Sequence, residues 1–247
     1  MPRIYLSPSA QQANQYVTGG SEEYYMNLVA DAMEPYLRAS GIAFTRNRPD
    51  MTAGQIIRAS NAGDYEFHLA LHSNAAPEGK YGEKRGVEIY YFPYSANGKR
   101  AAQMMADNFK AIYPDPDSVF LRPTTSLGEV DRTRAPSVLA EIAYHDNEDD
   151  ANWIINNIQT IARALSLSLT EYFGIPFVEP QAQYRAQVVT ESGGLNIRRR
   201  PNTGAEILAS APRGATVTVY SQAPQGWAVV GYQGMIGYAV EKYLKQL

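Results

Sequence analysis

Cysteine is absent from this 247-residue sequence, and histidine occurs only three times. Without cysteine, disulfides and thiolate metal sites are excluded, so the fold has to be stable without cross-links. Charge of either sign is nearly balanced, and a formal net charge of −3 gives no reason to expect nucleic acid or an anionic membrane as a partner. No apolar run is long enough to span a membrane. With 45% hydrophobic residues, the sequence is that of a globular protein with a packed core.

Charge is distributed unevenly along the chain. From Gln183 onward there are seven Lys or Arg and three Asp or Glu, which leaves an excess of negative charge before that residue. The segment 176–183 contains two prolines and no periodicity, which is typical of a linker. We therefore predict two domains, residues 1–175 and 184–247, joined by that linker.

The first domain alternates between short apolar runs and amphipathic segments. This alternation predicts an α/β fold with a mostly parallel sheet and helices on both faces. The segment 114–134 contains three prolines and is expected to be an irregular loop close to a functional site. Strands are predicted at residues 3–6, 42–45, 67–72, 87–92 and 138–143, and helices at about 22–40, 53–60, 96–113 and 148–173.

Three residues of this domain are candidates for chemistry. His72 ends a buried strand, at the edge where open α/β sheets bind ligands. Glu141 lies inside the apolar strand 138–143, where burial of a carboxylate is unfavourable unless a partner or a task keeps it there. Glu23 lies in the first turn of a helix. An imidazole and two carboxylates are the parts of a hydrolytic zinc site, although each residue also has a purely structural interpretation.

Four motifs give this domain a family resemblance. In order they are Arg3-Ile4-Tyr5-Leu6, Glu23-Tyr24-Tyr25-Met26-Asn27-Leu28, Leu71-His72-Ser73-Asn74-Ala75 and the segment from Val138 to Asn147. Residues 3–173 thereby resemble the zinc-dependent N-acetylmuramoyl-L-alanine amidases of the Amidase_3 type, which have a phosphorylase/hydrolase-like α/β fold. The resemblance implies that Glu23 and His72 bind Zn²⁺. It also implies that Glu141 is the general base, and later the acid, in cleaving the amide between muramic acid and L-alanine of peptidoglycan.

One ligand of that family has no obvious counterpart. The first strand of the family leads into a histidine ligand, whereas here the loop reads Ser7-Pro8-Ser9-Ala10-Gln11-Gln12. The carbonyl oxygen of Gln11 is the first alternative, and His145 is the second. The third is a degenerate amidase that binds the cell wall without cutting it. A serine hydrolase that uses Ser7 or Ser9 is a further alternative, but the chain has no Gly-x-Ser-x-Gly motif to support it.

The other polar residues have weaker functional interpretations. His68 lies about 13 Å from His72 along a strand, so the two histidines cannot bind the same metal ion. His68 is therefore expected to be a hydrogen-bonded core residue. Asn74 and Arg134 are candidates to line the cleft.

The C-terminal residues have a different pattern, with short alternating runs separated by glycine and proline turns, which predicts a small all-β barrel. Residues 184–247 resemble a bacterial SH3-like domain through Gly194-Leu195-Asn196-Ile197-Arg198 and Gly226-Trp227-Ala228-Val229-Val230. Such domains bind cell-wall peptide, and we expect Trp227 to be a core residue. Arg198, Arg199 and Arg200 are interpreted as a solvated turn, because no aromatic residues interleave with them.

Met1-Pro2-Arg3 leads directly into the first strand, which leaves no room for a signal peptide. We expect an enzyme of the cell wall that is released from the cytoplasm as an endolysin, or a secreted autolysin that has lost its signal.

Overall fold

The structure is a computed structural model that describes residues 1–180, 184–199, 201–233 and 235–247, without the side chains of Ser221, Pro224 and Ile236. Part of the predicted linker, 181–183, and Arg200 of the arginine run therefore lie outside the described residues. The chain folds into two compact units, Met1–Leu37 with Ile42–Phe177 and Arg38–Gly41 with Val178–Leu247. The predicted domain limits remain a prediction. No helix in the described part of the chain is both long and apolar enough to cross a membrane.

The first unit is built on a six-stranded mixed sheet in the order β2-β1-β3-β6-β4-β5. Neighbouring strands are parallel except for the antiparallel pair β4 and β6. The predicted mostly parallel α/β sheet is therefore confirmed. Its strands are β1 Arg3–Pro8, β2 Ala43–Arg46, β3 Phe67–Asn74, β4 Val87–Tyr91, β5 Val119–Pro123 and β6 Ser137–Tyr144, and its helices are α1 Glu22–Ala39, α2 Ala53–Ala62, α3 Ala96–Lys110, α4 Gly128–Asp131, α5 Glu148–Asn156 and α6 Ile158–Phe173.

Local sequence signals fix the ends of several helices. Thr52 and Gln55 form a reciprocal capping box at the start of α2, which satisfies backbone N–H groups that a helix leaves free. Ser95 accepts a hydrogen bond from the backbone N–H of Gly98 at the start of α3. Gly174 ends α6 with φ 65°, in the left-handed conformation that glycine adopts at little cost.

The two faces of the sheet have different surroundings. On β3, Phe67, Leu69 and Leu71 belong to the large core that contains α1, α3, α5 and α6. Ala70 points to the other face, where it packs with Val130 of α4 and other residues in a smaller cluster. Since strand residues alternate between faces, His68 and His72 share the face of Ala70. This face of the sheet carries the candidate site.

The carboxyl ends of β3 and β6 are irregular. His72 is the register partner of Glu141, yet Asn74 pairs with Tyr144, so β6 contains one extra residue over this interval. Ala143 lies in this bulge with φ 57°, an uncommon conformation for a residue with a Cβ atom. Bulges of this kind redirect side chains and are frequent next to active sites.

Two sequence expectations for this unit need correction. The segment 114–134 is not a plain loop, because it contains β5, which pairs with β4, and the short helix α4. The single helix expected at 148–173 is two helices, and the break falls at Asn157, whose backbone has φ −123° and whose side chain bonds the carbonyl of Trp153. Neither the pairing of β5 with β4 nor the hydrogen bond of Asn157 can be recognised from the spacing of apolar residues.

The second unit is an antiparallel seven-stranded sheet in the order β13-β7-β10-β11-β12-β8-β9. This confirms the all-β prediction. Trp227 is nearly buried and packs with Val229 and Tyr238, as expected of a core residue. The strands are β7 Tyr184–Val188, β8 Gly194–Arg198, β9 Ile207–Pro212, β10 Thr216–Ala223, β11 Trp227–Tyr232, β12 Met235–Val240 and β13 Leu244–Gln246.

Candidate active site

A cleft of about 530 Å³ opens beside the carboxyl end of β3. Its walls are the loop of Gln11 and the segment 49–53 that leads into α2, and both His72 and Glu129 line it. His72 is mostly buried, and the side chain of Glu22 is almost completely buried. The cleft therefore exposes one edge of a buried group of ionisable side chains.

The acid that contacts His72 is Glu22 and not the predicted Glu23. Glu22 Oε1 lies 2.8 Å from His72 Nδ1. Glu23 is only half-buried, and its Oε1 accepts a hydrogen bond of 3.3 Å from Asn27. Consecutive helix residues are rotated by about 100°, so one acid of the pair faces the site and the other turns away. Glu22, and not Glu23, is therefore the acid of this pair that lies beside His72.

Two amide side chains complete the surroundings of Nδ1. Gln11 Nε2 lies 3.3 Å from His72 Nδ1. Asn14 Nδ2 donates to Glu22 Oε2 at 2.6 Å and to Gln11 Oε1 at 3.0 Å. Gln11, Asn14, Glu22 and His72 thus form one hydrogen-bonded group, and the predicted Gln11 belongs to it.

The opposite edge of the imidazole faces a second carboxylate that sequence analysis missed. Glu129 Oε1 lies 3.6 Å from His72 Nε2, which is longer than a hydrogen bond. Glu129 Oε2 accepts a hydrogen bond from Ser7 Oγ at 2.6 Å and contacts His68 Nε2 at 2.9 Å. His68 is completely buried, and its Nδ1 lies 2.9 Å from Ser60 Oγ. His68 is a hydrogen-bonded core residue, as predicted.

Glu141 lies beside His72 on the neighbouring strand, as its register partner. Its Oε2 is buried and has no hydrogen-bond partner among the described residues. Burial raises the pKa of Glu141 to about 7, with a further rise from the charges of Glu22 and Glu88 that is partly offset by His72. A carboxyl with this pKa can both accept and donate a proton near neutral pH.

The charges of the group support one another. Burial lowers the pKa of His72, but the carboxylates of Glu129, Glu22 and Glu141 outweigh burial and raise it well above the usual value. Burial raises the pKa of Glu22, but His72 and the hydrogen bond from Asn14 lower it below the usual value. Burial also raises the pKa of Glu129, but its hydrogen bond with His68 and the nearby charge of His72 lower it below the usual range. In the metal-free protein, His72 is therefore a cation between two carboxylates.

Of the remaining sequence candidates, His145 and Arg134 lie elsewhere, whereas Asn74 lies close to the site. His145 Nδ1 contacts Ser73 Oγ at 3.1 Å and the Ser73 carbonyl at 2.9 Å, and its ring stacks on Tyr16. Ser73 follows His72 in β3 and so points to the other face of the sheet. Arg134 bonds the carbonyl of Gly63 near the amino ends of β3 and β6, away from the cleft. Asn74 remains close, since its amide donates to Glu88, which pairs with Glu141.

The donor set can be tested against a metal ion. Catalytic zinc sites use three protein ligands and leave one position open. The described residues include no group of three or more His, Cys, Asp or Glu that could hold a metal ion. Glu22 and His72 supply two strong donors, whereas Gln11 presents Nε2 to His72 Nδ1. Its amide oxygen would reach this point only if the amides of Gln11 and Asn14 turned, which would break the hydrogen bond from Asn14 to Glu22. With that rearrangement the set would offer a zinc ion two strong ligands and one weak ligand.

Known structures share the fold of the first unit. AmiC2 of Nostoc punctiforme, an N-acetylmuramoyl-L-alanine amidase, is 14% identical with a TM-score of 0.60, covering 70% of this chain and 97% of that one. Ami1 from Mycobacterium smegmatis is 17% identical with a TM-score of 0.60 and the same coverages. The catalytic domain of the CD27L endolysin targeting Clostridia difficile is 17% identical with a TM-score of 0.57, covering 69% and 98%. None of the curated proteins matches the chain.

Family profiles match both parts of the sequence. The bacterial SH3 domain profile matches residues 193–245. The profile described as N-acetylmuramoyl-L-alanine amidase matches residues 10–171, which is about two thirds of the chain. This range contains both histidines of β3 and the three acids around His72. The chain therefore belongs to the N-acetylmuramoyl-L-alanine amidase family.

Proposed function

We propose that this chain is a zinc-dependent hydrolase that cleaves the amide between the lactyl group of N-acetylmuramic acid and L-alanine in peptidoglycan. The observation that carries the proposal is the 2.8 Å contact between His72 Nδ1 and Glu22 at the cleft, with Glu141 opposite His72 on the next strand. His72 and Glu22 are the two strong ligands, and Gln11 is the weak third ligand. The chain differs from the family pattern in its third ligand, which would be Gln11 where that pattern has a histidine.

The residues have distinct tasks in the reaction. Bound zinc would polarise the scissile carbonyl and make a water molecule more acidic. Glu141 takes a proton from the attacking water, and the hydroxyl group is added to the carbonyl carbon. Glu141 then gives that proton to the amide nitrogen as the carbon–nitrogen bond breaks, which leaves a carboxylic acid on the sugar and a free amine on alanine. A pKa of about 7 supports both steps at neutral pH.

The second unit is proposed to anchor the enzyme to the cell wall. A cavity of about 480 Å³ in this unit is lined by Arg198, Trp227 and Lys242, among others. Two cations beside an aromatic ring suit a peptide that carries carboxylates, as the stem peptides of peptidoglycan do. Even weak binding raises the concentration of the catalytic unit at an insoluble substrate. The protein would act at the bacterial wall as an endolysin or autolysin.

One observation favours a second candidate, a wall-binding protein without hydrolytic activity. Glu22 and His72 already satisfy each other directly, and the third donor at Nδ1 is a neutral amide. Glu22 and His72 can therefore remain buried as an ion pair, without a metal ion to balance the charge of Glu22. The two candidates differ in zinc content and in product.

Purified protein tests the proposal. Zinc content is measured after dialysis against micromolar zinc, and purified peptidoglycan is then digested. The amidase should retain about one zinc per chain and release muropeptides whose new amino terminus is L-alanine. Glu141→Gln is the matched control, because it should retain zinc and release almost no alanine termini. Well under one zinc per chain, with no new termini from the native sequence, would favour the wall-binding protein.

A further inference from the structure

Glu129 faces His72 from the side opposite to the proposed ligands. The ligand group of Glu22 and Gln11 lies at Nδ1, whereas Glu129 Oε1 lies 3.6 Å from Nε2. Both His72 and Glu129 also line the cleft. Neither the catalytic tasks described above nor the sequence motifs assign any role to Glu129.

The chemistry of imidazole sets a requirement at Nε2. A metal ion bound at Nδ1 needs the lone pair of that nitrogen, so the remaining ring proton must be on Nε2. His72 Nε2 is buried and has no hydrogen-bond partner within the described residues. A buried N–H group without an acceptor costs about 1–3 kcal/mol, so the metal-bound ring needs an acceptor at this edge.

Glu129 is held in a position to be that acceptor. Ser7 Oγ and His68 Nε2 both bind Oε2, which leaves Oε1 directed at His72. His68 is itself fixed by Ser60 and stacked on Tyr5, and all of these groups are buried. Closing the gap from 3.6 Å to a hydrogen bond of about 2.9 Å needs a movement of less than about 1 Å.

We infer that Glu129 is a positioning residue, which accepts the Nε2–H of His72 and so orients the ring with Nδ1 toward the metal. The inference rests on the proposed function. A carboxylate behind a histidine ligand fixes its tautomer and makes it a stronger donor, and loss of such a partner typically weakens metal binding about 10–100-fold. At this site the carboxylate would offset the weak amide ligand at Gln11.

Zinc affinity tests the inference through competition with a chromophoric chelator, with no need for an activity assay. Glu129→Gln should bind zinc about 10–100-fold more weakly than the native sequence. Ser7→Ala is the matched control, since it removes a hydrogen bond from the same carboxylate but keeps its charge and Oε1. Its affinity should stay close to native, well short of a loss of about 10–100-fold, if the charge at Oε1 is what matters. Equal affinities of Glu129→Gln and the native protein would overturn the inference.

A second measurement uses the native protein, so it does not depend on the folding of a variant. In the zinc-loaded state, ¹H–¹⁵N spectra of the His72 ring should show a metal-bound Nδ1 and a slowly exchanging, low-field proton on Nε2. Zinc on Nε2, or rapid exchange of that proton, would refute the role of Glu129 while leaving the amidase proposal intact. A native protein that takes up no zinc would remove both the metal centre and this inference, and it would be recognised before any variant is compared.

Discussion

Replacing Glu141 by glutamine should stabilise the metal-free protein at neutral pH and remove most of its hydrolysis. Burial raises the pKa of this carboxyl from 4.5 to about 7. The folded protein therefore binds the proton more tightly than the unfolded chain does. Between these two pKa values the unfolded chain loses its proton first, so the free energy of unfolding falls as the pH rises from about 4.5 to about 7.

The size of this effect follows from the pKa difference. One pKa unit is worth about 1.4 kcal/mol, so ionisation of Glu141 costs the folded state on the order of 3 kcal/mol above pH 7. Glutamine has the same shape and no charge, but its amide would also lack a partner at the buried Oε2 position. We therefore expect the variant to gain about 1–3 kcal/mol over the native protein at pH 8 and little at pH 4.

Urea unfolding at pH values between about 4 and 8, with a chelator present, measures this difference. Hydrolysis of peptidoglycan by the zinc-loaded variant should fall about 10²–10⁴-fold, the usual contribution of a general base. Glu23→Gln is the control, since it removes an acid that is not enclosed in the site, and its unfolding should follow the native pH dependence. Parallel pH curves for Glu141→Gln and the native protein would show that the carboxyl is not held neutral by burial.

Further variants test the ligands and the core. Glu22→Gln should weaken zinc binding at least about tenfold while Glu23→Gln leaves it unchanged, and a chelator competition that ranks them the other way would return the ligand role to Glu23. Gln11→His should strengthen zinc binding about tenfold or more, because imidazole is a better donor than an amide; unchanged affinity would place Gln11 outside the coordination sphere. Tyr113→Phe removes a buried 2.6 Å hydrogen bond to Asp150 and should lower the free energy of unfolding by about 1–3 kcal/mol, whereas a loss under about 0.5 kcal/mol in urea would mean that the bond is not needed.

Sequence reasoning identified the two strand residues that the structure places side by side, but it selected the wrong one of two adjacent acids as the neighbour of His72. His72 ends an apolar run and Glu141 interrupts one, and each run predicts a buried strand. The structure pairs these two strands with His72 and Glu141 in register. The choice between Glu22 and Glu23 depended on the phase of α1. Met26 is fully buried and lies four residues after Glu22, so extending the apolar stripe backward by one turn would have selected Glu22.

Glu129 could not have been found in the same way. It lies in a segment whose prolines predicted an irregular loop, and its partners Ser7, His68 and His72 are at least 57 residues away in sequence. Only the pairing of β5 with β4 and the packing of α4 against the sheet bring it to the site. A partnership that depends on tertiary contacts leaves no periodic signal in the chain.

The balance of charge at the site is the reason that we expect a chain without the histidine ligand of the family pattern to bind a divalent cation. Three buried or partly buried acids, Glu22, Glu129 and Glu141, surround a single imidazole. Without metal, a proton on His72 offsets part of this negative charge. Glu141 keeps its proton up to a pH of about 7, because burial and the neighbouring carboxylate charges raise its pKa. A bound Zn²⁺ would supply two positive charges and displace the proton from Nδ1, so Glu141 could then be ionised beside Glu22 and Glu129 without adding to the net negative charge of the group. A neutral amide ligand at Gln11 would form a weaker coordinate bond than an imidazole, but it would leave this electrostatic attraction intact. The ionised Glu141 that would result is the form needed to accept a proton from water.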